Sequence, residues 1–158
     1  TGTLEVWHDD ALIASYPCYA KADNAEAARH GNPARDPLKP FGDTPCGRWR
    51  ATVGGVCDSA RTYGPNPVIR LSPLDGQAYM SHLGPNRRGG ILIHGGAPSK
   101  SGGLRPTHGC LRVSDDAMAE LHRHIGQFGG IELVEMKEAE RELPESVAGG
   151  SHNGMHTS

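Results

Sequence analysis

The sequence predicts a mostly β domain with many short strands and one clear helix. The 22 glycines and 12 prolines among 158 residues disfavour a helical bundle, because Gly costs about 1 kcal/mol and Pro about 3 kcal/mol in a helix interior. Apolar and polar residues alternate over several short segments, and only one segment has the helical period. Hydrophobic residues make up 36% of the chain, which is enough for one compact core. We expect one domain over residues 1–138.

The chain opens with the apolar alternation that is typical of a β-hairpin. Two strands are predicted around the turn His8–Asp10, with alternate positions at Leu4, Val6, Leu12, Ala14, Tyr16 and Cys18. The polar segment Ala20–Pro40 follows and carries three prolines. It is predicted to be a long loop with a short helix at Asn24–Arg29. Loops of this length inside a domain are usually functional or mobile.

Four short strands are predicted in the middle of the chain. Apolar residues alternate over Arg48–Val53, and Val68–Leu71 follows a Gly/Pro-rich turn. Gln77–Ser81 is a weaker strand candidate. Ile91–Ile93 is a continuous apolar run between glycine pairs, which predicts a short strand buried on both faces.

The one clear helix begins after Ser114, a good N-cap residue. Its apolar face is formed by Met118, Leu121 and Ile125, and Gly126 is predicted to end it. A last strand is predicted at Ile131–Met136. Residues 139–158 are first charged and then rich in Gly, Ser and His, so we expect a disordered tail there.

The charge pattern excludes several classes of partner. The formal net charge is −2, which gives no general nucleic-acid signature, and the pair Arg87-Arg88 is predicted to be solvated loop charge. No apolar run approaches the roughly 18 residues that a membrane span needs. The chain shows neither a signal peptide nor an initiating Met, so we expect a mature or excised piece. We expect a monomer.

Three of the four cysteines, Cys18, Cys46 and Cys57, lie in the first part of the chain. Four cysteines in 158 residues are far fewer than a disulfide scaffold contains. Small buried thiols are therefore the favoured prediction for these three, although an oxidising compartment would allow a disulfide among them.

The chemistry-bearing residues concentrate in one window, where His94, His108 and Cys110 each stand beside glycine. A thiol with an ordinary pKa is only about 3% thiolate at pH 7. A neighbouring imidazole that takes the proton turns a cysteine into a nucleophile for acyl transfer. The backbone N–H groups of Gly109 and Cys110 are candidate donors to the developing oxyanion.

Two points stay open from the residues alone. Arg112 could hold a substrate carboxylate or brace the loop. His94, His108 and Cys110 would also suffice as three zinc ligands, although thiol catalysis is the favoured interpretation.

The same residues resemble a known family. His-Gly-Gly at 94–96, followed by Thr-His-Gly-Cys-Leu-Arg at 107–112, looks like the signature of the L,D-transpeptidases. The segment Gly42–Trp49 is similar to that family's Thr-Pro-x-Gly-aromatic segment, and the opening hairpin matches its usual start. The resemblance runs from about Leu4 to Met136.

The resemblance implies a β-sandwich with one or two short helices, and it implies roles for individual residues. Cys110 would be the nucleophile and His94 its base, oriented by the backbone carbonyl of Gly95. His108 would shape the loop. Arg112 would help to build the site, with Gly109 and Thr107 on the substrate and oxyanion side.

The implied substrate is the peptidoglycan stem peptide, and no cofactor or metal is implied. The enzyme would release the terminal D-Ala and form 3→3 crosslinks that affect cell shape. Water as acceptor would make it an L,D-carboxypeptidase, and a free D-amino acid would make it an exchange enzyme. Carbapenem-type β-lactams should acylate Cys110. The expected location is the periplasm or cell envelope.

The chain departs from the family pattern in two places. Twelve residues separate His94 from Thr107, a shorter loop than is typical, and Ala20–Pro40 is enlarged and could be a lid. Two other functions remain open at this point. One is an interbacterial effector of the same fold that damages the wall, and the other is a non-catalytic wall-binding module.

Overall fold

One eight-stranded sheet organises the chain in this computed structural model, which describes residues 2–85, 87–131, 133–137 and 154–157. The strands are β1 (Gly2–His8), β2 (Ala11–Cys18), β3 (Gly47–Val53), β4 (Ile69–Pro73), β5 (Leu92–His94), β6 (Leu111–Arg112), β7 (Leu133–Met136) and β8 (Gly154–Thr157). Their order in the sheet is β2-β1-β8-β7-β3-β4-β5-β6. The β5–β6 and β7–β8 pairs are parallel, and the other pairs are antiparallel.

The sheet curls until its two edges meet. Tyr19, just beyond β2, exchanges two backbone hydrogen bonds with Arg112 of β6, at 2.8 and 3.0 Å. The mostly β prediction is confirmed. The described strands join into one sheet, so the two-sheet sandwich is not confirmed.

The opening hairpin is confirmed, with Leu4 opposite Tyr16. Asp9 and Asp10 form its turn with φ of 47° and 64°. Two successive residues at positive φ match the right-handed twist of hairpin strands, and Asp tolerates this conformation better than most residues.

Four helices are present in the described residues: α1 (Asn24–Arg29), α2 (Ala60–Tyr63), α3 (Gly76–Leu83) and α4 (Asp115–Gln127). The sequence predicted α1 and α4, and the Ser114 hydroxyl caps α4 by accepting the Ala117 N–H at 3.1 Å. The helix passes through Gly126, which was predicted to end it. The chain instead turns away at Gly129 and Gly130, both at positive φ.

The strand predicted at Gln77–Ser81 is wrong, because this segment lies in α3. Ala78 and Ser81 are buried while Tyr79 and Met80 are exposed, and a spacing of three is helical. The single turn of α2 is too short to show a period, and the sequence did not predict it.

The hydrophobic core lies on one face of the curled sheet. It joins Leu4, Trp49, Ile69 and Val134 of four strands to Met118 of α4. In β5 the side chains on both faces of the strand are buried. Ile93 faces this core, so Leu92 and His94 point to the other face, where they are buried too.

The segment 139–158, predicted to be a disordered tail, contains β8. Residues 154–157 lie between β1 and β7 and pair with both, which differs from the expected disorder. The remainder of this predicted tail, 139–153 and 158, lies outside the described residues. The boundary at residue 138 stays a prediction.

All four cysteines are free thiols, and Cys18 is fully buried. Burial raises the pKa of Cys18 to about 11, as expected for an inert thiol in the core. None of the helices in the described residues is both long and apolar enough to cross a membrane.

Candidate active site

The sheet itself brings His94 and Cys110 together. In the parallel β5–β6 pair, Ile93 lies opposite Leu111 and His94 opposite Arg112. Continuing this register one residue back places Cys110 beside Leu92, whose N–H donates to the Cys110 Sγ at 3.4 Å. Side chains two residues apart on a strand share a face. Cys110 directly precedes β6, so the continued register places it one diagonal step from His94.

The His94 imidazole is held in one orientation. Its Nδ1 lies 2.7 Å from the backbone carbonyl of Gly95. A carbonyl oxygen can only accept, so Nδ1 carries the hydrogen and Nε2 keeps its lone pair. The Tyr63 and His94 rings pack edge to face, with ring centroids 5.0 Å apart. The arrangement leaves Nε2 as the atom that can take a proton.

The surroundings of His94 keep it neutral. Only 2% of the residue is exposed, and burial lowers the pKa of the imidazole to about 4. The hydrogen bond to Gly95 opposes this shift, while the positive charges of Arg112 and Arg105 add to it. At neutral pH His94 is therefore an unprotonated base.

The Cys110 thiol is half-buried and sits between two backbone groups. It accepts the Leu92 N–H and lies 3.5 Å from the carbonyl of Gly90, to which the S–H donates. Burial raises the pKa of the thiol, while the Leu92 N–H and the cations Arg88 and Arg112 act in the opposite direction. The resting pair is thus a thiol beside a neutral imidazole, which suits general-base activation.

Thr107, Gly109 and Thr44 shape the turn that carries the thiol. The Thr107 hydroxyl donates to the Cys110 carbonyl at 2.7 Å and accepts the Gly109 N–H at 3.0 Å. Thr44, from the segment before β3, donates to the Gly109 carbonyl at 2.7 Å. The Gly109 N–H is already engaged, which differs from its predicted oxyanion role. The N–H of Cys110 is the member of that predicted pair that stays a candidate.

Arg112 braces the site from within. It is 4% exposed, and its Nε donates to the same Gly95 carbonyl that orients His94, at 3.2 Å. Its other nitrogens donate to the carbonyls of Arg105, Pro106 and Thr62. Of the two roles that the sequence left open, this geometry favours bracing, because the guanidinium is turned toward protein carbonyls.

The glycines after His94 make room for the start of α4. Gly96 donates its N–H to the Asp115 carboxylate at 2.8 Å. A Cβ on Gly95 would overlap that same carboxylate oxygen. Asp115 therefore fixes the backbone whose carbonyl orients His94.

The polar segment 20–43 lies against the catalytic turn. Asp23 donates its N–H to the Thr107 carbonyl at 3.1 Å. The Phe41 ring stacks on His30 at 3.8 Å and contacts the exposed His108 ring at 5.2 Å. His108 is thus placed at the contact between this segment and the turn, and its shaping role stays a prediction.

The burial of Arg88 contradicts a prediction from the sequence. Arg88 was expected to be solvated loop charge, but it is only 7% exposed. Its guanidinium lies against Gly109, where a Cβ would overlap it. Gly109 also has φ of 124°, so both its conformation and its neighbour require glycine.

The zinc alternative loses its geometric basis. In the part of the chain that the structure describes, no three His, Cys, Asp or Glu side chains converge on a point that could hold a metal ion. His94, His108 and Cys110 therefore do not form the three-ligand cluster that this alternative needs.

Sequence reasoning missed four residues that build the site: Thr44, Tyr63, Arg88 and Asp115. Thr44 lies inside the segment Gly42–Trp49 that carries part of the resemblance, and Asp115 directly follows the predicted N-cap Ser114. Nothing local marked Tyr63 or Arg88, because each acts through contacts with residues far along the chain.

Most of the chain matches the sequence model of a known protein family. The sequence model of the YkuD family, described as the L,D-transpeptidase catalytic domain, matches residues 1–132. Among curated proteins, no relative matches the chain. The solved structure of Bd1075 from Bdellovibrio bacteriovorus matches with a TM-score of 0.46 and 16% identity. That match covers 72% of this chain and 35% of the other, so the chain spans about a third of that structure's length.

Proposed function

Because this chain belongs to the L,D-transpeptidase catalytic-domain family, we propose that it is a cysteine acyltransferase acting on peptidoglycan stem peptides. The observation that carries the proposal is the orientation of His94. Its Nδ1 donates to the Gly95 carbonyl, and the β5–β6 register places His94 one diagonal step from Cys110. A wall-binding module would have no use for a buried neutral base beside a thiol.

The first half-reaction forms a thioester. The Sγ of Cys110 attacks the carbonyl carbon of the third stem residue, and its proton passes to Nε2 of His94. The tetrahedral oxyanion is stabilised by nearby N–H donors, with Cys110 N–H as the candidate. The C–N bond to the terminal D-Ala then breaks, and Nε2 returns its proton to the leaving amine.

The second half-reaction releases the enzyme. An amine of a second stem attacks the thioester carbonyl, Nε2 takes the proton of that amine, and the 3→3 amide forms as the thiolate leaves. The thiolate regains the proton from His94. Water in place of the amine gives L,D-carboxypeptidase activity, and a free D-amino acid gives exchange.

The substrate sets the location of the reaction. Peptidoglycan lies outside the cytoplasmic membrane, which supports an extracytoplasmic location, and we propose the periplasm or cell envelope. A strained β-lactam carbonyl offers Cys110 the same electrophile as the stem peptide, so we propose that carbapenems acylate it.

The proposed function is tested by incubating the protein with disaccharide-tetrapeptide and identifying the products by mass spectrometry. A crosslinked dimer with free D-Ala indicates transpeptidation, a disaccharide-tripeptide indicates carboxypeptidase activity, and a new terminal residue after addition of a D-amino acid indicates exchange. Cys110→Ala should abolish every product. Cys57→Ala is the matched control, because it removes a thiol far along the chain from the His-Gly-Cys motif. Robust turnover by Cys110→Ala would overturn the assignment.

A further inference from the structure

A buried arginine lies directly beneath the turn that carries Cys110. Arg88 stands between α3 and β5, and its sequence neighbour Arg87 is exposed. The Arg88 guanidinium occupies the space where a side chain at Gly109 would begin. Arg88 lies outside the motif residues at 94–96 and 107–112.

The guanidinium links two separate segments. Nη1 donates to the carbonyls of Pro37 and Asp43 at 2.7 and 2.9 Å. Nη2 donates to the carbonyl of Gly42 at 3.1 Å, with a longer bond to His108 at 3.4 Å. Three bonds therefore reach the segment 37–43, and the fourth reaches the residue before Gly109.

All four acceptors are neutral carbonyls rather than carboxylates. The side chain of Asp43 is directed elsewhere, with its carboxylate 3.5 Å from Lys21 and 3.7 Å from Arg35. A buried charge without a paired opposite charge is costly. Arginine does not lose its proton in a protein, so the positive charge stays fixed at this place.

The Cys110 thiolate is the negative charge that interacts most strongly with the Arg88 guanidinium. Burial lowers the pKa of Arg88. The Cys110 thiolate opposes this shift more strongly than the carboxylates of Asp43 and Asp36 do. Two cations lower the pKa of the Cys110 thiol, and the effect of Arg88 is larger than that of Arg112. Charges interact strongly where water is excluded.

We propose that Arg88 is a positioning residue that ties the segment 37–43 to the catalytic turn and supplies the fixed positive charge that stabilises the Cys110 thiolate. The proposal rests on the proposed function of Cys110 as nucleophile. A lysine would supply one point charge where arginine spreads four donors over two segments.

The test measures alkylation of Cys110 by iodoacetamide as a function of pH, with the modified peptide quantified by mass spectrometry. This readout needs no stem peptide, so it fails or succeeds independently of the proposed transpeptidation. Arg88→Met should raise the thiol pKa by about one unit and slow alkylation at pH 7 roughly tenfold. Arg87→Met removes the same charge from the exposed neighbouring position and should leave the profile unchanged.

A folded Arg88→Met protein with the wild-type alkylation profile would overturn the proposal, and so would an equal shift in Arg87→Met. If Arg88→Met does not fold, the same alkylation measurement on Arg88→Lys tests the proposal. This variant keeps the positive charge, so the pKa of the Cys110 thiol should stay within about half a unit of wild type. It loses the guanidinium hydrogen bonds to the segment 37–43, so protease cleavage within that segment should accelerate. A thiol pKa raised by a full unit in Arg88→Lys would contradict the role of the charge.

Discussion

The Nδ1 atom of His94 lies 2.7 Å from the carbonyl oxygen of the next residue, Gly95. In many Cys–His and Ser–His sites a carboxylate or amide side chain plays this part. Here a backbone carbonyl sets the tautomer, and it adds no full negative charge that would favour the imidazolium. Burial beside two arginines then keeps the base neutral.

The first prediction concerns the pH dependence of the reaction. Since burial lowers the pKa of His94 to about 4, kcat/KM for the stem tetrapeptide should fall as pH drops through about 4, well below the 6.5 of an ordinary histidine. His94→Ala should lose activity at every pH. His108→Ala should react more slowly, but its kcat/KM should still fall as pH drops through about 4. If this fall is lost in His108→Ala and kept in His94→Ala, the base is His108.

Stability should depend on pH through the same group. Between pH 6.5 and 4 the unfolded chain protonates His94 while the folded protein does not, so the free energy of unfolding falls as pH falls through this window. The full effect is about 3 kcal/mol. Urea unfolding at several pH values measures it, and His94→Gln should flatten the slope. An unchanged slope in that variant would contradict the buried neutral state.

The opening hairpin and α4 could be predicted because their signals are local: alternation around Asp9 and Asp10, and an N-cap at Ser114. The position of Cys110 followed from its motif. Arg88 could not be predicted, because Arg87 and Arg88 look alike in sequence and only long-range packing buries one of them. The strand β8 was missed for a similar reason, since it is stabilised by pairing with two distant strands rather than by its own composition.

A glycine substitution tests the crowding beneath the catalytic turn. Gly109→Ala places a methyl group into the Arg88 guanidinium at a φ of 124°, so it should cost at least about 1–3 kcal/mol of unfolding free energy and most of the activity. Gly126→Ala is the matched control, because a Cβ there meets nothing within 4 Å. Gly126 is the penultimate residue of α4, so this substitution should stabilise by less than about 1 kcal/mol. Equal effects at the two positions would refute the packing described here.

The hydrogen bond between Thr44 and the Gly109 carbonyl should matter for both stability and rate. Thr44→Val keeps the shape but leaves the carbonyl without this donor, so unfolding free energy should drop by about 1–3 kcal/mol. The displaced turn should lower kcat more than it changes KM. Thr52→Val, on the exposed side of β3, serves as the control and should be near neutral. A Thr44→Val enzyme with wild-type kcat would show that the turn does not depend on this bond.

The central claim is that Cys110 carries the acyl group, and intact-protein mass spectrometry after rapid acid quenching with disaccharide-tetrapeptide tests it most directly. The predicted result is an adduct with the mass of the substrate less D-Ala, located on the Cys110 peptide and absent from Cys110→Ala. An adduct on another residue, or conversion of the tetrapeptide by Cys110→Ala, would contradict the account.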